Sequence, residues 1–126
     1  MNIPAELRYS SDHEWVRVDG ATATIGITEF AQDALGDVVF VEMPDAGLAV
    51  AAGESFSEVE STKSVSDIYA PITGSISEVN AELESQPELL NSDPYGAGWI
   101  CRIEISDPSE LDGLMDAEAY RALTEG

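Results

Sequence analysis

A mainly β fold trimmed by a few short helices is what this sequence predicts, on three observations. Asp19-Gly20 separates two stretches of extended character, the signature of a tight hairpin. Phe56-Ser57-Glu58-Val59 is echoed by Ile76-Ser77-Glu78-Val79 at a fixed offset of 20 residues, which suggests two similar strand units related by an approximate two-fold rather than a solenoid. Every helical signal is short and carries its own cap. The 126 residues suit one domain over residues 1–126, and folding at that length buries roughly two-thirds of the unfolded surface. With 44% hydrophobic and 24% charged residues the composition is that of a globular chain.

The elements follow in order. Residues 13–18 read as a strand around Trp15, and residues 21–26 return across the turn with Thr22, Thr24 and Ile25. Thr28 is placed to cap a short helix ending at Leu35, with Gly36 at the position after its end, and Phe30, Ala34 and Leu35 are expected to face the core. Val38-Val39-Phe40-Val41 is a continuous apolar run, which predicts a strand buried on both faces before the turn at Pro44-Asp45-Ala46-Gly47. Between the echoing strands, Ser61-Thr62-Lys63-Ser64 is small and polar, fit for a hairpin tip, and residues 65–69 resume the strand before Ala70-Pro71. After a loop at residues 91–98, residues 99–105 form a strand with Trp99, Cys101, Ile103 and Ile105 on one face. Asp107, Pro108 and Glu110 occupy the cap, first and third positions of a helix that Gly113 weakens. Asp116 caps a last helix with Tyr120 and Leu123 turned inward.

Charge narrows the function classes. The formal net charge is -20, from 25 acidic and five basic residues. That argues against nucleic acid, which requires a positive surface to release counterions, and against an anionic membrane surface. It fits docking onto basic partner surfaces, or a generally acidic, solvated exterior. No apolar run is long enough to cross a bilayer. The stretch Met1-Asn2-Ile3-Pro4-Ala5-Glu6 has neither the basic start and apolar run of a signal peptide nor an Arg-rich transit pattern, so the expectation is a cytoplasmic protein. Cys101 and His13 are the single cysteine and the single histidine, too few for a zinc site, and the thiol is expected to be buried and inert.

Lys63 is the only lysine; the other basic residues are Arg8, Arg17, Arg102 and Arg121. Either residue type supplies solvated charge, but only a lysine amine readily loses its proton and forms an amide. Taken alone, an exposed lysine is usually ordinary solvated charge. The surrounding sequence adds more. Glu60-Ser61-Thr62-Lys63-Ser64-Val65-Ser66-Asp67, then Ala70-Pro71-Ile72-Thr73-Gly74 and Glu78-Val79-Asn80, closely resembles the lipoylation segment of glycine cleavage H proteins. The resemblance extends to His13-Glu14-Trp15, Gly26-Ile27-Thr28, residues 35–41, Asn91-Ser92-Asp93-Pro94-Tyr95-Gly96 and Gly98-Trp99, nearly the whole chain.

The resemblance implies a barrel-sandwich hybrid, the β-sandwich type of lipoyl carriers, with short peripheral helices. It implies lipoate attached as an amide to Lys63, and a non-catalytic carrier that moves an aminomethyl group derived from glycine. The implied partners are a pyridoxal-phosphate glycine decarboxylase, a tetrahydrofolate-dependent aminomethyltransferase, an FAD-containing dihydrolipoamide dehydrogenase, and a lipoate ligase or lipoyl/octanoyl transferase. Glu14 and Asp67 stand where the family holds the aminomethyl arm; without the resemblance they read as ordinary surface acids.

Three other readings compete. Biotinyl domains typically flank their lysine with methionines, and lipoyl domains of 2-oxoacid dehydrogenases place Asp before it and Ala after, whereas Thr62 and Ser64 flank Lys63. A lipoyl-relay donor would carry the same lysine. An enzyme would have to work with an acidic pair such as Glu58 and Glu60, with no nucleophile elbow or phosphate loop to help.

Overall fold

The computed structural model describes residues 3–125; Met1 and Asn2 of the N-terminal stretch lie outside that range, as does Gly126. The strands are β1 (Arg8–Tyr9), β2 (Glu14–Asp19), β3 (Thr22–Ile27), β4 (Val38–Glu42), β5 (Ala49–Val50), β6 (Ser55–Ser61), β7 (Val65–Tyr69), β8 (Gly74–Val79) and β9 (Cys101–Ile105). They form two antiparallel sheets, one of six strands in the order β1-β2-β3-β9-β8-β5 and one of three in the order β4-β6-β7. The sheets share one core, with Val59 and Ile68 from the smaller meeting Ile25, Ile76 and Ile103 from the larger. Each fully buried side chain of that size contributes roughly 1.5–3 kcal/mol. A second cluster joins Leu7, Tyr9, Trp15 and Tyr120, with the Tyr9 and Tyr120 rings stacked at 4.7 Å. The helices are α1 (Glu29–Leu35), α2 (Glu82–Ser85), α3 (Leu89–Ser92) and α4 (Ala117–Glu125), and none is long and apolar enough to cross a membrane.

Local chemistry accounts for most boundaries. The Thr28 side chain accepts from Ala31 N at the start of α1, and Gly36 ends it at φ 85° with its N–H on Gln32 O. The Asp19-Gly20 turn pairs β2 with β3, bringing Trp15 opposite Gly26. The echoing strands β6 and β8 fall in different sheets, and each has an irregular register, between Ser55 and Ser57 and between Ile76 and Glu78.

Several expectations need correction. The apolar run of β4 is buried on one face only: Val38 and Val41 are inside, while Val39 and Phe40 are exposed. The cause is a bulge, because the register steps from Val38 opposite Ser61 to Phe40 opposite Glu60 and leaves Val39 as an extra residue. Leu35 of α1 is buried, Phe30 only partly, and Ala34 is exposed. The last strand begins at Cys101 rather than Trp99, whose ring lies beneath Arg102 at 4.3 Å. Residues Pro108–Gly113 form a 3-10 helix capped by Asp107. Its Glu110 does not close a capping box but accepts from Thr73 N at 2.7 Å and Oγ1 at 2.9 Å, fastening the turn to the larger sheet. In α4, capped by Asp116 as expected, Tyr120 is buried but Leu123 is exposed.

Candidate functional site

The tip of the β6–β7 hairpin is built by one serine. Ser61 Oγ accepts from Lys63 N at 3.2 Å and Ser64 N at 3.1 Å, while Ser61 N donates to Ser64 O at 2.8 Å. Thr62 N donates to Asp37 O at 3.0 Å, tying the tip to the turn after α1. The Lys63 backbone is thus held, while its side chain is exposed and its stem runs past Gly36. Asn91 holds that turn from below: Nδ2 donates to Gly36 O at 2.9 Å and Gln32 Oε1 at 3.0 Å, and Oδ1 accepts from Val38 N at 2.8 Å.

A cleft of about 190 Å³ opens beside the tip. Phe30, Ala31 and Leu35 of α1 form one wall and Ser66, Asp67 and Ile68 of β7 the other, with Ser64 at the lysine end. Asp12 and His13 also line it. The lining is largely apolar, carries two carboxylates and includes no Lys or Arg. Such a space can exclude water from a small group and still attract a cation.

His13 is fixed from three sides. Its backbone is at φ 71°, its ring lies 4.6 Å from that of Phe30, and Nδ1 is 2.8 Å from the Tyr120 hydroxyl. The same hydroxyl is 2.7 Å from Thr28 Oγ1, so α4 is fastened both to the cleft and to the cap of α1. Burial lowers the His13 pKa from its ordinary value and pushes the Tyr120 phenol up to about 12.

Of the residues singled out from the sequence, Asp67 borders this cleft, while Lys63 stands beside it, next to the lining residue Ser64 and with its stem over Gly36. Glu14 does not line it. Its side chain is buried, with the residue 2% exposed, and its carboxylate accepts from Ser10 Oγ at 2.5 Å and Tyr69 N at 3.4 Å. Burial pushes its pKa up to about 7. Sequence reasoning gave no role in the site to Asp12 or Asn91, and read Gly36 only as a helix stop and Tyr120 only as an inward-facing residue. Gly36 and Asn91 sat within recognised motifs, but nothing local marks Asp12, or the tie from the Tyr120 hydroxyl to His13 and Thr28. Cys101 is fully buried and its thiol is pushed up to about 12 by burial, the inert packing expected of it.

Residues 7–126 match the family model for the glycine cleavage H-protein. The chain is 57% identical to the glycine cleavage system H protein of Symbiobacterium thermophilum, over 98% of this chain and 97% of that protein. It is 58% identical to the one from Beutenbergia cavernae, over 100% of this chain and 99% of that protein. The crystal structure of a glycine cleavage system H protein from Mycobacterium marinum superposes with a TM-score of 0.89 at 42% identity, covering 98% of this chain and 100% of that one.

Proposed function

The chain belongs to the glycine cleavage H-protein family, and on that premise we propose that Lys63 carries lipoate and that the protein acts as the aminomethyl carrier of the glycine cleavage system. The observation that carries the reading is the exposed, sole lysine on a braced hairpin tip beside a largely apolar, acid-lined cleft. An acyl-lysine fits there: the amine is free to form an amide, and the cleft beside it suits an alkyl arm ending in an ammonium. Held as an amide on Lys63, lipoate would supply a disulfide able to take up an aminomethyl group as a thiol adduct, and a dithiol, once that group is passed on, for the FAD dehydrogenase to reoxidise.

The chain's own residues do the rest. Ser61 and Thr62 keep the root of the arm still, so the tether's length sets the local concentration at each partner site. Phe30 and Leu35 shed water from the cleft and Asp12 offers the ammonium a carboxylate, while Asp67 borders the cleft with its side chain in the outward row beside Glu58. Glu14 acts from behind, holding the β7 wall at Tyr69 N. The same reading takes the chain as a single cytoplasmic carrier domain without chemistry of its own, charged with lipoate by a ligase or an octanoyl/lipoyl transferase.

The test is acylation of the unmodified protein by lipoate, ATP and a lipoate ligase, followed by intact mass. One lipoyl group is expected on the wild type and none on Lys63→Arg. Lipoyl transfer to Lys63→Arg would sink the reading.

A further inference from the structure

The three most exposed large apolar residues among those described are Val65 at 56%, Val39 at 54% and Phe40 at 51%. Scattered exposed hydrophobics are ordinary, but these three lie together. Phe40, Glu60 and Val65 are directly opposite one another across β4, β6 and β7. They form the last outward-facing row before the tip that carries Lys63. The bulge that turns Val39 out of the core enlarges the patch on the Gly36 side, against which the lysine stem lies.

The next outward row is Glu42, Glu58 and Asp67, again directly opposite one another. Like charges so placed repel, and the ion pairs found among the described residues, Arg102 with Glu78 and Arg121 with Glu125, lie elsewhere. With Glu60 between Phe40 and Val65, the patch is a carboxylate flanked by exposed apolar residues, with a second row of unneutralised carboxylates beside it. Its complement is a surface with apolar contacts on either side of a basic group and further Lys or Arg beside them.

We infer that this outer face is where the enzyme that acylates Lys63 docks, through apolar contact with Phe40, Val39 and Val65 and Lys or Arg side chains set against Glu60 between them and Glu42 and Glu58 beside them. The inference rests on the lipoyl reading of Lys63. Acylation selects this enzyme among those the carrier meets. It forms a bond from Lys63 Nζ to the acyl carbon of an activated lipoyl or octanoyl donor, whose leaving group departs with the electron pair as Nζ gives up a proton. The enzyme must therefore close on the root of the side chain, and the surface beside that root is the patch. Enzymes that act on the far end of the finished arm can stand away from it. Docking on this face also leaves the cleft, walled by Ser66 and Ile68, uncovered.

The test uses the full unmodified chain, lipoate, ATP and a lipoate ligase from the same source. Phe40→Ser and Val65→Ser change exposed positions, and their unfolding midpoints should stay within a few degrees of wild type. The apparent KM for the protein should rise roughly tenfold in each, with kcat within about twofold, as expected when an interface anchor is lost. Once lipoylated at saturating concentration, the same variants should keep a wild-type KM with the glycine decarboxylase. An unchanged ligase KM in folded variants overturns the inference, as does an equal rise with the decarboxylase. A wild-type dimer that Phe40→Ser dissociates overturns it too, giving the face to a second copy. Failure of the wild type to take up any lipoate would instead strike the reading of Lys63.

Discussion

The side chain of Lys63 rests over Gly36: a β-carbon built on that glycine would lie 3.1 Å from Lys63 Cε and 3.3 Å from Cδ. Gly36 also has φ 85°, a conformation that an L side chain adopts only under strain. With ψ at -161° this is a region essentially reserved for glycine, so Gly36→Ala should lower stability by about 1–3 kcal/mol. The lysine stem is flexible and yields, so acylation by a lipoate ligase should persist. Urea unfolding and intact mass check the two halves. A folded Gly36→Ala protein that accepts no lipoate would show that the stem cannot yield.

Glu14 predicts a pH dependence of stability. Its carboxyl is pushed from 4.5 up to about 7, chiefly by burial, against the opposing hydrogen bond from Ser10. The folded state therefore holds this proton more tightly than the unfolded chain does. Its contribution to stability is full below about pH 4.5 and is lost as pH rises through 7, by up to roughly 3 kcal/mol. Glu14→Gln has no proton to lose. Relative to wild type, the variant should gain up to about that amount between pH 5 and pH 8, measured by urea unfolding at both. A constant difference between the two proteins would refute the assignment.

Gly26 is an opposite case to Gly36, limited by space rather than by φ. A β-carbon there would meet the Trp15 ring at 2.5 Å. Trp15 is fully buried and its indole N–H donates to Pro94 O at 2.9 Å, so the ring has little room to move. Gly26→Ala should cost about 2 kcal/mol or more through overpacking, with a shifted indole fluorescence as its mark. Normal stability and an unshifted spectrum would show that the ring does yield.

The Tyr120 hydroxyl is the link between α4 and both His13 and Thr28. Tyr120→Phe keeps the buried ring and its stacking on Tyr9 but leaves His13 Nδ1 unpartnered in that direction. The expected loss is about 1–2 kcal/mol. Hydrogen exchange should quicken in α4 and at the start of α1 while the β6–β7 hairpin stays protected. Equal exchange everywhere would mean that α4 is held by ring packing alone.

What was legible in the sequence was what local chemistry decides. The Asp19-Gly20 hairpin, the Thr28 cap, the Gly36 stop and the Lys63 tip depend on residues within a few positions of each other. β4 was misread because its bulge is set by pairing with Ser61 and Glu60, some twenty residues on. Ala34 was misassigned because a cleft occupies the place where core was expected. Within the site, Lys63 stood out as the sole lysine in a recognisable motif. The burial of Glu14 did not, since it takes Ser10 and Tyr69 from different strands and turns to enclose it. Asp12 and His13 reach the cleft only through the fold.

The sealing of Cys101 has a consequence for what this molecule can safely carry. A thiol that ionises only near pH 12 offers almost no sulfur nucleophile at neutral pH. A disulfide borne on the same protein would therefore meet no competing thiolate from its own chain, and mixed-disulfide trapping would be closed off from within. If Lys63 carries the lipoyl arm proposed above, an alkylating dye added to the folded protein should report the redox state of that arm's two sulfurs alone. The Cys101 thiol should react only after the β-sandwich has been unfolded.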